Sequence, residues 1–222
     1  MTLAFVTNTW AGDLPLAYRL AQQIQYHHPD AHHMVIGDGC SPDIDGAICV
    51  EQPQQKTVEH CDRYSYRQLT LALERLSDFD HLIQLDPDCW LNGPLRPPKR
   101  GEFFGRLFAR NRNGQPTTVL HGCCWGMSRQ LVERLVKADP FALDDYLYPE
   151  NQCRDGSCSE DTGFCVGVDR VYSRRRWQNW GQICPNGQQP GAMVWHPVKV
   201  DILPDLKARG FVGHSAKLHP NK

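Results

Sequence analysis

No stretch of about 18 consecutive apolar residues exists in the chain, so no membrane-crossing helix is expected. "MTLAFVTNTW" enters an apolar strand almost at once, without the charged leader and apolar core of a signal peptide, and a soluble cytoplasmic protein is the expectation. Neither sign of charge is in excess. With 24 basic and 25 acidic residues the net charge is -1, which excludes attraction of the whole surface to nucleic acid or an anionic membrane. There is no internal repeat, low-complexity segment or linker. The 222 residues, 41% of them hydrophobic, suffice for one domain over residues 1–222 that buries roughly 70% of its unfolded surface.

Cysteine is the exception to this scarcity, with ten residues, yet the content stays below the roughly 8 to 10% of disulfide scaffolds. Reduced thiols are expected. Cys40, Cys49, Cys89 and Cys165 lie in or beside apolar runs, where free cysteine behaves as a small hydrophobe. "CRDGSC", Cys153 to Cys158, has the spacing for a loop disulfide or part of a zinc site, but no second CxxC-type pair accompanies it.

Strand and helix signals alternate. "LAFVT" reads as a strand, and "DLPLAYRLAQQIQ" as a helix with Asp13 as N-cap, Pro15 in the first turn and Leu16, Leu20 and Ile24 on one face. "HMVIG" and "AICV" are short strands. "YRQLTLALERL" puts Tyr66, Leu69, Leu73 and Leu76 at helical spacing, and the strand "HLIQL" follows. This order predicts an α/β domain with a mostly parallel central sheet, whose ligands lie beyond the carboxyl ends of the strands. Farther on, "GEFFGRLF" and "TTVLHGCCWGMS" look like strands, Ser128 caps "RQLVERLVK", and a helix starts at "SEDTGFCVG" with Ser159 as N-cap. The tail from Val198 onward offers one strand, a short helix or turn, and a polar end.

The stretch "HLIQLDPDCWL" delivers Asp86 and Asp88 one residue apart at the end of an apolar strand. Like charges so close repel, which calls for a cation between them or a solvated turn. If the strand continues extended, alternate residues point the same way and two carboxylates aim at one hard cation, which can grip a diphosphate. As a Lewis acid that cation neutralises a departing nucleoside diphosphate. The other reading of DxD is a turn, and Pro87 suits one.

Three further segments, in their order and rough spacing around this motif, resemble the GT-A glycosyltransferases, nearest the fringe and β3-galactosyltransferase-like group. Tyr66 to Thr70 stands where that group has "YxNLTxK", Asp86-Pro87-Asp88 where it has its DDD-type metal motif, and Gly122 to Ser128 where it has "GGxGYxxS". Glu160-Asp161 matches "EDVYxG", and His214-Ser215 the late "HS". Ala72 replaces the lysine, Cys123 and Cys124 replace small residues, and Pro87 replaces the middle acid.

The resemblance implies a GT-A-like, Rossmann-like fold, with a nucleotide-sugar-binding half over 1–100 and an acceptor-binding half over 101–222. It implies an inverting transfer from a nucleotide-sugar donor, UDP-sugars favoured, to a hydroxyl of a glycan, lipid or protein. Asp86, Asp88 and His214 would hold Mn²⁺ or Mg²⁺, imidazole suiting Mn²⁺ better. His196 and His219 are rivals for the histidine role. Asp161 would be the general base. Thr7, Asp38, Arg63, Arg67 and Lys217 form the candidate donor-binding set, and Trp125, Gly126 and Glu160 the acceptor-binding set.

Each residue has a plainer reading beside this one. Glu160 and Asp161 also complement a helix N-terminus, Trp125 also suits a core, and Asp13, Asp38 and Asp43 also suit caps and turns. "RRRW", Arg174 to Trp177, reads as an anion site or a solvated basic loop. The rival enzyme is a haloacid-dehalogenase-like phosphatase, whose nucleophilic Asp follows the first strand. The sugar nucleotidyltransferases carry a Gly-rich loop where "TNTWAGD" has one glycine. The non-enzymatic rival is a domain of the same shape that binds a nucleotide sugar or glycan without turnover.

Overall fold

The computed structural model describes residues 1–53, 61–99, 101–112, 115–140, 160–184 and 191–195, and leaves undescribed the side chains of residues 61–65, 110–112, 115–117, 160–163 and 184. Seven strands form one sheet. In chain order these are β1 (Leu3–Thr9), β2 (His32–Asp38), β3 (Ile48–Gln52), β4 (His81–Leu85), β6 (Phe103–Arg112), β7 (Gln115–Ser128) and β8 (Gln178–Asn179). Their spatial order is β3-β2-β1-β4-β7-β6-β8. All neighbours pair in parallel except β7, which runs antiparallel to both β4 and β6. A smaller sheet joins β5 (Trp90–Leu91), β10 (Val194–Trp195) and β9 (Ile183–Cys184). The mostly parallel α/β architecture matches the expectation and is compatible with a Rossmann-like domain.

Both faces of the sheet are covered, because successive side chains of a strand point to opposite sides. Leu3, Phe5, Ile83 and Leu85 pack on one face with Leu20 and Ile24 of helix α1 (Leu14–His27). Ala4, Val6 and Leu82 pack on the other with residues of α2 (Cys61–Arg75), α3 (Arg129–Ala138) and α4 (Glu160–Val171). This double burial explains the nearly continuous apolar runs of β1, β2 and β4.

The apolar stripe expected on α1 is buried as Leu16, Leu20 and Ile24, with Pro15 in the first turn. Its cap differs. Asp13 holds the N-cap position but makes no capping bond, because its carboxylate accepts from Trp10 Nε1 at 2.6 Å. Ser128 does cap α3, its hydroxyl accepting from the Leu131 amide at 3.3 Å. The position expected to cap α4, Ser159, lies outside the described residues, as do Cys153, Cys158 and the tail beyond Trp195. Cys40, Cys49, Cys89, Cys123, Cys124 and Cys165 are free thiols. No helix among the described residues is long and apolar enough to cross a membrane.

The cap makes a first test of the local chemistry. Ser128→Ala leaves the Leu131 amide without its side-chain acceptor and should lower unfolding free energy by about 1 kcal/mol. Urea denaturation reads it directly, and an unchanged midpoint would show that α3 does not depend on this bond.

Candidate functional site

The chain runs from β1 outward to β2 and β3 and then crosses back to place β4 on the other side of β1, so the strand order reverses beside β1, the place where open α/β sheets have a crevice beyond the carboxyl ends of their strands. Asp38 ends β2, Trp10 follows β1, and Asp86 follows β4 on that same edge. The strand does not continue extended through Asp86 and Asp88, contrary to the strand-alternation argument. Residues 86–89 close a turn in which the Cys89 amide donates to the Asp86 carbonyl at 3.0 Å. Pro87 presets the backbone of this turn, and both carboxylates are half-buried at its rim.

Three elements hold the turn. The Asp86 amide donates to the Cys123 carbonyl of β7 at 2.9 Å, and Gln84 Nε2 donates to the Asp86 carboxylate at 2.8 Å. From beneath, Arg19 of α1 donates through Nη2 to the carbonyls of Pro87 at 3.2 Å and Cys89 at 2.9 Å. Arg19 is fully buried and stacks over the Trp90 ring at 5.5 Å. Burial lowers its pKa to about 10, while the fields of Cys89 and Asp88 oppose that shift, so it remains a cation at neutral pH. Sequence reasoning missed Arg19. Its signal is a position one residue before Leu20 in the buried stripe of α1, where a charge has no reason to be unless something fixes it.

Strand β7 is irregular where it passes the turn. Its pairing with β6 jumps from Gly105–Trp125 to Leu107–Leu120, so His121, Gly122, Cys123 and Cys124 face Arg106 alone. Such bulges re-aim side chains and frequent the neighbourhood of active sites. His121 is half-buried, and its Nδ1 accepts from the Cys123 amide at 3.4 Å. It is a second site candidate that sequence reasoning missed.

The antiparallel direction of β7 also corrects the acceptor set. Cys124 is level with Leu85 at the end of β4, whereas Trp125 and Gly126 are level with Gln84 and Ile83, progressively farther from the turn. Trp125 is a core residue, 4% exposed and packed on Phe164 with ring centroids 4.8 Å apart. Gly126 is required by packing, since a Cβ there would strike the ring of Phe104. Both are buried.

The donor set is dispersed in its environments. Thr7 is fully buried and its hydroxyl meets His33 Nε2 at 3.1 Å, so its side chain belongs to the interior rather than the crevice. Asp38, the last residue of β2, is buried, and Arg67 is half-buried on α2. Trp10 joins the rim: it is 52% exposed, with its ring lying against Gly12 and its Nε1 tied to Asp13.

Helix α4 is oriented by two contacts. The Leu120 amide donates to Cys165 Sγ at 3.3 Å, and Arg134 of α3 donates to the Val171 carbonyl at 2.9 Å. Because α3 starts at Ser128, level with the beginning of β4, the last turn of α4 lies at that end. The backbone of Glu160 and Asp161 therefore begins the helix toward the turn's end of the sheet. The side chains of Arg63, Glu160 and Asp161, and all of His196, His214, Lys217 and His219, lie outside the described residues. The basic segment is tied down at the other end: Arg174 pairs with Asp169 at 3.3 Å and Arg176 with Glu102 at 3.5 Å, while Trp177 is buried.

No cluster of three or more His, Cys, Asp or Glu suited to a metal occurs among the described residues. No protein-family model matches the chain, and no curated protein does.

The interior of the sheet predicts a pH dependence. Burial pushes the His33 pKa down from 6.5 to about 3. Between those values the unfolded chain binds a proton that the folded chain does not, so stability is full above about pH 6.5 and falls as pH drops toward 3. The slope from this one group is about 1.4 kcal/mol per pH unit well inside the window. Urea denaturation at pH 7 and pH 5 should show His33→Asn losing less stability than the parent, and equal losses would mean that His33 is not held neutral.

Proposed function

We propose that the protein is a metal-dependent glycosyltransferase, inverting, that moves a sugar from a nucleotide-sugar donor to an acceptor hydroxyl. The observation that carries the reading is the Asp86-Pro87-Asp88 turn at the topological switch point, held by Arg19 and by the bulge of β7. A position on the fourth strand of the sheet, rather than the first, favours it over the phosphatase reading.

The residues present would suit a divalent cation held in part by its substrate. Two half-buried carboxylates are too few for an all-protein cage, but one or two carboxylates completed by substrate phosphates and water are how Mg²⁺-type ions are held. Mn²⁺ or Mg²⁺ so bound by Asp86 and Asp88, with His214 as the further ligand implied by the family resemblance, would stabilise the charge on the departing nucleoside diphosphate.

The remaining work falls to side chains of the chain itself. Trp10 offers a fixed, exposed aromatic face to a nucleobase. Asp38, at the end of β2, would meet a ribose hydroxyl, and Arg63, Arg67 and Lys217 would be the cations for the diphosphate. Asp161 would take the proton of the acceptor hydroxyl as the sugar leaves. With Trp125 and Gly126 in the interior, the bulge at His121 and Gly122 and the start of α4 at Glu160 are the acceptor-side candidates.

Asp88→Asn tests the reading, because it removes a charge at the rim and leaves the packing of the turn in place. The variant should melt close to the parent and lose at least about tenfold in affinity for UDP in the presence of Mn²⁺, an expectation that follows from removing one of two anionic ligands. Isothermal titration with UDP and MnCl₂ measures it. Binding as tight as the parent's would reduce the motif to a structural turn.

A further inference from the structure

A buried guanidinium bonded to the backbone on both sides of Asp88, in the turn that carries the two candidate metal-binding carboxylates, is a costly arrangement. Its Nε and Nη1 find no hydrogen-bond partner among the described residues, and only Nη2 is satisfied, by the carbonyls on either side of Asp88. The side chain is fully buried, with the Trp90 ring against its face. A charge placed this way acts on the turn both by its bonds and by its field.

We infer that Arg19 is a positioning residue that couples cation binding to diphosphate binding at the Asp86–Asp88 turn. The inference rests on the metal-dependent reading of that turn. Asp86, Asp88 and Arg19 together carry one net negative charge, which is modest attraction for a free divalent cation. Once that cation is in place the same group carries one net positive charge, which attracts a nucleoside diphosphate. Without Arg19 the bare site would carry two negative charges and the loaded site none. The cation would then bind more readily alone, and the diphosphate less readily afterwards, because charges this close in a partly buried setting interact much more strongly than in water. The lowered but still basic pKa of Arg19 is consistent with a permanent internal charge.

A purely structural Arg19 predicts something different: its loss would loosen the turn and weaken both ligands together. Titration of the parent, Arg19→Met and Arg19→Lys with MnCl₂ alone, and with UDP at saturating MnCl₂, separates the two. Arg19→Met should bind Mn²⁺ alone at least about tenfold more tightly and UDP at least about tenfold more weakly, an expectation from the change of one unit charge. Arg19→Lys, which keeps the charge but not the forked geometry, should restore the parent's direction in both titrations. The parent needs no variant for one further readout: saturating UDP should tighten its Mn²⁺ binding at least about tenfold, by reciprocity of coupling. Weakening of both ligands in Arg19→Met, no change in either, or independent binding of Mn²⁺ and UDP to the parent would each overturn the coupling role while leaving the glycosyltransferase reading intact. A parent that binds neither Mn²⁺ nor UDP, alone or together, would overturn both.

Discussion

A sheet covered on both faces leaves polar chemistry only its ends. In this chain Leu3, Phe5, Ile83 and Leu85 commit one face to α1, and Ala4, Val6 and Leu82 commit the other to α2, α3 and α4. Of those ends, the one where β1, β2 and β4 stop is where the strand order reverses beside β1, which is where open α/β sheets have their crevice. The location of the candidate site follows from packing before any catalytic residue is considered.

Within the crevice, geometry is set by the interior rather than by the loops. The Asp86–Cys89 turn is braced by a fully buried arginine from one side and by a strand bulge from the other. Bonding to main-chain carbonyls and amides fixes the path of the turn while leaving its carboxylates at the rim. A site assembled like this keeps its shape without a ligand, so little ordering entropy is lost when one binds.

The periodic part of the structure was legible in the residues. "HLIQL" is β4 to the residue, the Leu16, Leu20 and Ile24 stripe is the buried face of α1, and Ser128 caps α3 as its hydroxyl position suggests. Four features were not. Strand direction has no signature in an apolar run, so nothing in "TTVLHGCCWGMS" indicates that β7 is antiparallel and carries Trp125 and Gly126 away from the turn. The choice between turn and extended strand at Asp86 depends on the Cys123 carbonyl, 37 residues away. Burial of Arg19 depends on Pro87 and Cys89, which local periodicity cannot see. Asp13 departs from its expected role for a similar reason, since Trp10 competes for its carboxylate.

The central claim is that this turn receives a divalent cation together with a nucleoside diphosphate. Anomalous diffraction at the manganese edge, from crystals grown with MnCl₂ and UDP, tests it without assuming any activity. The account predicts one strong peak about 2 to 2.6 Å from a carboxylate oxygen of Asp88, with UDP phosphate density beside it. A well-ordered UDP with no manganese at the turn, or a manganese peak elsewhere with the turn bare, would contradict it.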